Sequence, residues 1–315
     1  MKKLTILLLL SIWTAGFSQT LSFRFGTPFR RNDLDVRWNA PSNAIPARVW
    51  VYRVLPNTFS PKVVDYLVSL GPFTDADRKP AKANGMLFVK PALLPNLFIS
   101  FDLGQIRYQT ADRPFANLAV HVPPKTELPE LASRFFQTVG IKPSDIVAKS
   151  DGTPDLHFSE PSTEHYVHDT VITNVEYRAT DFRRAVDGAP WVGAETGGDG
   201  QVQFGDYGVP RRIWLSWRNL KRHKRFSTVP PKTLIEWIRG GKAVQNMLPP
   251  DAEPIDWNSI KRLTITGAKL CYYAGGPFQP SEWLMPFVAL WATVDTGHGN
   301  IGVEIDCPII DESKP

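Results

Sequence analysis

Three short segments of the chain carry apolar residues at the i, i+3, i+4 spacing that places them on one face of an α-helix. The segments are residues 61–70 (PKVVDYLVSL), 128–139 (LPELASRFFQTV) and 231–239 (PKTLIEWIR). A proline lies near the start of each segment and a glycine, Gly71, Gly140 or Gly240, lies just past its end. These are the positions that proline and glycine favour at helix termini. The pattern predicts three helices.

Extended, β-like segments follow each predicted helix. They are residues 86–89 and 97–108; then 156–158, 171–177 and most of 182–220; then 262–274, 284–294 and 301–310. A helix laid across a curled antiparallel sheet lets the sheet bury one face. We therefore predict an α+β fold of tandem modules, each a helix packed on such a sheet, over residues 19–120, 121–228 and 229–315. Residues 21–53 add further β-like sequence to the first module.

The most informative stretch is residues 182–220, FRRAVDGAPWVGAETGGDGQVQFGDYGVPRRIWLSWRNL. It predicts consecutive strands joined by turns at residues 188–190 (GAP) and 197–200 (GGDG). The run at residues 213–217 (IWLSW) has the composition of a strand.

Side chains alternate between the two faces of a strand. One face of the run at 213–217 then carries Ile213, Leu215 and Trp217, which predicts Trp217 in the core. The other face carries Trp214, Ser216 and, beyond the run, Arg218. Because tryptophan and arginine are enriched at binding hot spots, Trp214 is a candidate contact residue. A Trp214 covered by a neighbouring helix is the alternative.

The N-terminus has the organisation of a secretory signal peptide. Lys2 and Lys3 precede an apolar run, and Gly16 and Ser18 are small residues at the positions that a signal peptidase reads. The run is shorter than the roughly 20 residues that span a bilayer as a helix. We predict that residues 1–18 are removed, that the mature chain begins near Gln19 and has no membrane span, and that it is secreted or periplasmic. Retention of the segment as an anchor is the alternative.

Positive charge is mild overall and concentrated in one region. The formal net charge is +5, and removing residues 1–18 with their two lysines leaves +3. A local cluster contains Arg211, Arg212, Arg218, Lys221, Arg222, Lys224 and Arg225. Such a cluster attracts anionic partners, although a solvated loop has the same composition. We predict a basic loop with Arg218 and Arg222 as candidate binding residues. The export signal argues against nucleic acid and leaves a protein or an anionic envelope component as the partner.

Two cysteines, Cys271 and Cys307, lie in β-like segments near the C-terminus. In an oxidising compartment an even pair favours a disulfide. Closing a loop of about 36 residues would contribute about 3 to 4 kcal/mol on the loop-entropy account. We predict this disulfide, with two separate buried thiols as the alternative.

The densest group of potential metal ligands is His157, Glu160, Glu164, His165 and His168. A metalloprotease helix needs two histidines four residues apart with a glutamate beside the first. His165 and His168 are three residues apart, and Pro161 favours a loop. We predict a polar surface turn without a bound metal.

Motifs for nucleophilic catalysis and phosphate binding are missing from the sequence, which has no Gly-x-Ser-x-Gly elbow. Residues 295–300 (DTGHGN) lack the acid spacing of an EF-hand loop and predict a β-turn. The second module contains four carboxylates, Glu176, Asp181, Asp187 and Glu195, and nothing marks two of them as a catalytic pair. The sequence predicts no catalytic residue and no cofactor.

The order of residues in 182–220 resembles that of PepSY and thermolysin-propeptide (FTP) modules. The matching residues are the aromatic-x-Arg at Phe182, Asp187-Gly188-x-Pro190 and Gly193, followed by a strand that ends in a loop glycine. The stretch is also similar to the extracytoplasmic YycH/YycI-type regulators of a cell-wall sensor kinase. The resemblance implies α+β modules that inhibit proteases, chaperone secreted enzymes or restrain sensor proteins. Those regulators are membrane-anchored, and this chain departs from them if its apolar segment is cleaved.

The sequence therefore predicts an exported, non-enzymatic binding or regulatory protein of bacterial type. Its predicted contact surface is the sheet of the second module and the basic segment after it, with Trp214, Arg218 and Arg222. The alternative is an envelope hydrolase whose acids or histidines meet only in the fold, and a third option is a structural envelope protein. A deep pocket with converging titratable groups would favour the hydrolase, and a continuous sheet face would favour binding.

Overall fold

The computed structural model describes residues 26–41, 43–89, 95–110, 121–160, 162–167, 170–175, 177–193, 198–246, 254–274, 282–297 and 299–311. Its helices are α1 (Pro61–Ser69), α2 (Leu128–Val139) and α3 (Pro231–Arg239). Its strands, in chain order, are β1 (Gly26–Pro28), β2 (Asp35–Trp38), β3 (Arg48–Leu55), β4 (Arg78–Ala81), β5 (Gly85–Val89), β6 (Pro95–Ser100), β7 (Gln105–Thr110), β8 (His157–Ser159), β9 (Ser162–Val167), β10 (Thr170–Val175), β11 (Arg178–Arg183), β12 (Ala185–Val186), β13 (Ala189–Val192), β14 (Gly198–Phe204), β15 (Pro210–Trp217), β16 (Asn219–Ser227), β17 (Val244–Asn246), β18 (Arg262–Tyr273), β19 (Trp283–Asp295) and β20 (Asn300–Pro308). The predicted α+β class is confirmed, with strands predominating.

The three helices lie where the apolar spacing predicts them. At the start of α1 the hydroxyl of Ser60 accepts a hydrogen bond from the Val63 N–H at 3.4 Å. Gly140, with φ of 78°, ends α2 in the left-handed conformation that glycine adopts without steric cost. In α3 the corresponding residue is Gly241 rather than Gly240, because Gly240 is still right-handed.

Two compact units, rather than three consecutive modules, make up the chain. Unit 1 contains Met1–Arg53 and Arg222–Pro315, and unit 2 contains Val54–Lys221. The prediction of one helix per module is not confirmed, because α1 and α2 both belong to unit 2. The predicted boundary at residue 120 also differs from the structure, because unit 2 runs through it and pairs β7 with β15 from either side.

The sheet of unit 1 has the strand order β1-β17-β20-β19-β18-β2, in which β2 runs parallel to β18 and the other neighbours are antiparallel. On one face it packs against α3 through Leu234 and Ile238, both fully buried. The ring of Trp257 stacks on Phe29 at 3.7 Å between centroids. The Trp257 indole N–H donates to the Gln245 side-chain oxygen at 2.7 Å, which joins a loop to β17.

The predicted disulfide is not part of this fold. Cys271 lies on β18 opposite Phe287, and Cys307 lies on β20 opposite Val288, so the whole of β19 separates them. Two strand spacings amount to roughly 10 Å, whereas disulfide-bonded Cα atoms lie within about 7 Å. Since Phe287 and Val288 are consecutive, the two cysteines also point to opposite faces of the sheet. Both are buried thiols, and burial raises the pKa of Cys307 above its usual range.

Nothing in the described residues bears on the predicted signal peptide, because residues 1–18 lie outside them. Among the helices that the structure describes, none is long and apolar enough to cross a lipid bilayer. The longest of the three, α2, has 12 residues.

The sheet of unit 2 is antiparallel, with the strand order β4-β5-β6-β7-β15-β14-β11-β8. One face packs against α1 and α2, and this face carries Ile213, Leu215 and Trp217, as predicted. Unit 2 also contains two hairpins, β9–β10 and β12–β13.

The glycines at 198 and 200 form strand rather than the predicted turn. Both lie in β14, where a Cβ atom at Gly198 would be 2.6 Å from the Trp191 ring and one at Gly200 would be 2.3 Å from the Phe182 ring. Aromatic rings therefore occupy the space that side chains would take, which is a recognised use of glycine within a strand. The other turn lies one residue earlier than predicted, at Asp187-Gly188 between β12 and β13.

Tyr108 on β7 makes the stability of unit 2 sensitive to alkaline pH. Its hydroxyl donates to the Leu70 carbonyl at 2.7 Å, and burial raises its pKa to about 12. An unfolded tyrosine ionises near pH 10. The stabilisation is therefore complete below pH 10 and is lost between pH 10 and 12, amounting to about 2 to 3 kcal/mol.

We expect Tyr108→Phe to lower the free energy of unfolding by about 1 kcal/mol at pH 7, because the Leu70 carbonyl loses its donor. The variant should also lose most of the decline in the free energy of unfolding between pH 10 and 12. Urea unfolding at a series of pH values measures both effects. If the free energy of unfolding of the variant declines as much as that of the unaltered protein, groups other than Tyr108 cause the decline.

Candidate functional site

Three adjacent strands of unit 2 share one alternation of apolar and polar residues. In β7 the apolar positions are Ile106 and Tyr108, in β14 they are Val202 and Phe204, and in β15 they are Ile213 and Leu215; all are buried against the helices. The residues between them are polar or amphipathic and lie on the opposite face of the sheet. The intervening residues therefore determine the chemistry of that face.

One residue from each of the eight strands forms a continuous line across this opposite face. Successive strand pairings join Lys79, Leu87, Phe98, Arg107, Trp214, Gln201, Asp181 and His157, each directly opposite the next. We call this line the transverse row. Every member is exposed or half-buried, and none is buried. Seven strand spacings give it a length of about 34 Å along the sheet.

Trp214 lies at the centre of the transverse row. Its side chain is 42% exposed, which is high for tryptophan, a residue that is highly buried on average. The guanidinium carbon of Arg107 lies 5.0 Å from the centroid of the indole ring, within the range of a cation–π contact. Arg107 therefore packs over the exposed indole ring.

Beside Trp214, hydrogen-bonded side chains continue the row. The amide of Gln201 donates to the Asp181 carboxylate at 2.6 Å. The amide of Gln203, one pleat along the same strand, donates to the Gln201 oxygen at 3.0 Å. These bonds order the polar half of the row, while the other half has the apolar residues Leu87 and Phe98 between the cations Lys79 and Arg107.

The rest of the predicted contact face at the end of β15 is much less accessible. Ser216 is fully buried although it shares the face of Trp214. Arg218 lies beyond the strand and is half-buried, and its carbonyl accepts a hydrogen bond from Arg184. The interaction surface predicted by alternation is therefore confined to Trp214 and its lateral neighbours.

Arg222 lies in a strand rather than in the predicted basic loop. The residues after Arg218 form β16, which pairs with β3. Arg222 is exposed, and its guanidinium carbon lies 5.2 Å from the centroid of the Trp50 ring. Arg222 belongs to unit 1, whereas Trp214 and Arg218 belong to unit 2.

The potential metal ligands of the sequence are distributed over β8, β9 and their connection. His157 is exposed, and Glu160 forms an ion pair with Arg178 at 2.7 Å. Glu164 and His165 lie in β9, and His168 falls outside the described residues. Within the described part of the chain, no three His, Cys, Asp or Glu side chains come together as a metal site.

The four carboxylates considered for catalysis have different locations. Asp181 lies in the transverse row, and Asp187, with φ of 49°, is at the tip of the β12–β13 turn. Glu176 and Glu195 fall outside the described residues. Between β19 and β20 the Gly297 N–H donates to the Asp295 carboxylate at 2.9 Å, and His298 falls outside the described residues.

Alternation within β15 identifies Trp214, but the neighbours that define its surroundings were missed. Arg107 and Gln201 become neighbours of Trp214 only through strand pairing. Arg107 lies about a hundred residues before Trp214 in the sequence, and Gln201 lies 13 residues before it. A signal was present in the sequence, since QIRYQT in β7 and GQVQF in β14 alternate like β15. Aligning the polar positions of these three segments predicts the central part of the row.

Comparison with known proteins leaves the family open. No protein-family model and no curated protein sequence matches the chain. Among solved structures it is similar to an uncharacterized protein from Eubacterium rectale ATCC 33656, with 9% sequence identity, a TM-score of 0.45 and coverage of 87% of each chain.

Proposed function

We propose that the chain is an exported, non-enzymatic binding or regulatory protein that holds its partner on the transverse row of unit 2. The observation that carries this proposal is the row itself, eight aligned side chains of which none is buried, with an exposed tryptophan at the centre. The row crosses all eight strands without a buried member, which suits an extended contact with a partner.

The surroundings of Trp214 resemble those of an energetic hot spot. Tryptophan and arginine are the residues most enriched at such positions, and here they contact each other at 5.0 Å. The cation–π contact and the hydrogen bonds between Gln203, Gln201 and Asp181 hold the row in place before binding. Less side-chain entropy is then lost when a partner binds.

The chemistry of the row favours a partner with both apolar and polar groups. Leu87 and Phe98 offer apolar contact, while Gln201 offers amide groups. Lys79 and Arg107 outnumber the single carboxylate of the row, Asp181, which favours an acidic or polar partner. A protein surface or an anionic envelope component has this chemistry.

Substitution of two equally exposed tryptophans tests the proposal. Trp214 is 42% exposed in unit 2, and Trp291 is 46% exposed in unit 1. We expect Trp214→Ala to weaken capture of the partner from envelope extract by roughly tenfold or more, as is typical of a hot-spot residue. Trp291→Ala should capture the partner as strongly as the unaltered protein does.

Quantitative capture on immobilised protein measures this difference, with circular dichroism to show that both variants are folded. Equal loss in the two variants would assign the effect to general surface hydrophobicity. Capture that persists in a folded Trp214→Ala variant would place the binding surface elsewhere.

A further inference from the structure

A second surface with a distinct character lies on β16 in unit 1. Residues 222–225, Arg-His-Lys-Arg, are four consecutive basic or imidazole side chains, and all four are exposed. Because successive side chains of a strand point to opposite faces, both faces of this strand carry positive charge. A solvated loop would not place the charges in this fixed two-sided pattern.

Aromatic rings restrain three of these side chains. The Arg222 guanidinium lies 5.2 Å from the Trp50 ring, and the Lys224 ammonium lies 5.1 Å from the Phe226 ring. On the other face, the ring centroids of His223 and Trp283 are 4.6 Å apart. The aromatic contacts hold the cationic groups above the strand while the groups remain exposed to solvent.

Within the described part of the chain, β16 pairs with β3 and with no other strand. It is therefore an edge strand, and the backbone of an edge strand can pair with a further extended segment. Charged residues on an edge commonly prevent such pairing between identical molecules. Here a second copy of β16 is disfavoured, because the three cations Arg222, Lys224 and Arg225 would lie against the same three cations of the other copy.

The same charges favour a segment of opposite sign. We propose that β16 is a docking edge for an extended acidic peptide of a partner protein, which adds a strand beside Arg222–Arg225 by backbone pairing. Acidic side chains on both faces of the added strand would meet Arg222 and Lys224 on one side and His223 and Arg225 on the other. Backbone bonds would supply affinity and the charges would supply specificity. This surface is independent of the transverse row and does not require it.

A labelled synthetic peptide tests the proposal on the full mature chain. The probe has four consecutive glutamates flanked by valine and threonine, and fluorescence anisotropy follows its binding at low and at physiological salt. A control peptide has the same sequence with alternate backbone amides N-methylated, so it keeps its charge but cannot form the ladder. We expect the control to bind roughly tenfold more weakly or worse, because backbone pairing contributes most of the affinity in strand addition.

Two double variants of equal charge provide the second comparison. Lys224→Glu/Arg225→Glu should weaken binding of the probe by about tenfold, since two exposed attractive pairs become repulsive. Lys232→Glu/Lys261→Glu changes two other exposed lysines of unit 1 and should leave binding within about twofold, since only long-range charge changes.

Several results would overturn the proposal. Equal binding of the probe and the N-methylated peptide would reduce the interaction to electrostatics without strand addition. Equal loss in both double variants would assign it to net charge. Binding to phosphatidylglycerol vesicles without binding to the probe would identify a lipid surface instead. No binding of the probe at low salt would leave β16 with only a protective role at the sheet edge.

Discussion

Replacement of Trp217 by alanine is expected to lower the free energy of unfolding by about 4 kcal/mol, because a large buried side chain leaves a cavity. Trp217 is 6% exposed, and its ring centroid lies 6.1 Å from that of Phe182. It also covers the guanidinium of Arg184 at 5.1 Å. Burial already lowers the pKa of Arg184, so removal of the ring takes a favourable contact from a cation that is poorly solvated.

The matched variant on the same strand is Trp214→Ala. Since Trp214 lies on the opposite face and is 42% exposed, its loss should cost less than about 1 kcal/mol, as for surface substitutions outside packed regions. Urea unfolding followed by far-ultraviolet circular dichroism compares the two. Similar destabilisation by both substitutions would mean that Trp214 is a core residue and that the assignment of the two faces is wrong.

The second large effect is expected at a glycine. Gly200→Ala should lower the free energy of unfolding by about 3 kcal/mol, because a Cβ atom in a filled core forces neighbouring groups to shift. The nearest atom, Cζ of the Phe182 ring, would lie 2.3 Å away. The ring itself has little room to move, since it packs against Phe136 at 4.7 Å between centroids.

Gly302 on β20 provides the control for this substitution. A Cβ atom there meets nothing within 4 Å, and alanine is entropically less costly than glycine in a strand. Gly302→Ala should therefore leave stability unchanged or raise it slightly. Thermal unfolding of the two variants measures the contrast, and a neutral Gly200→Ala would refute the account of β14 as a strand shaped by aromatic rings.

Local patterns predicted the elements of the fold well. The spacing of apolar residues in α2, with Pro129 at its start and Gly140 at its end, defines the helix within its own twelve residues. The strands β18, β19 and β20 are likewise visible as β-like runs. In these segments the decisive interactions are formed by residues close in sequence.

Assembly of the elements depends on distant pairings, which composition does not reveal. The parallel pairing of β2 with β18 joins residues more than two hundred positions apart and makes unit 1 discontinuous. The disulfide prediction failed for a related reason, because consecutive pairing of β18, β19 and β20 places a whole strand between the two cysteines. Gly198 and Gly200 were mistaken for a turn because the rings that require them lie elsewhere in the sequence.

The candidate site shows the same division between local and distant information. Alternation along β15 was sufficient to place Trp214 on the face opposite the core. The identity of its neighbours, Arg107 on β7 and Gln201 on β14, required the pairing register of three strands. Arg218 and Arg222 were grouped with Trp214 by proximity in sequence, yet one is half-buried and the other belongs to unit 1.

Hydroxyl-radical footprinting of the complex is the most direct test of the central claim, that a partner binds the transverse row. The partner is the molecule that the unaltered protein captures from envelope extract, and oxidation rates are measured by mass spectrometry with and without it. The account predicts strong protection of Trp214, Phe98 and His157, with unchanged oxidation of Trp291 and Tyr207, which are exposed elsewhere. Unchanged oxidation of Trp214, Phe98 and His157 in a saturated complex would contradict it.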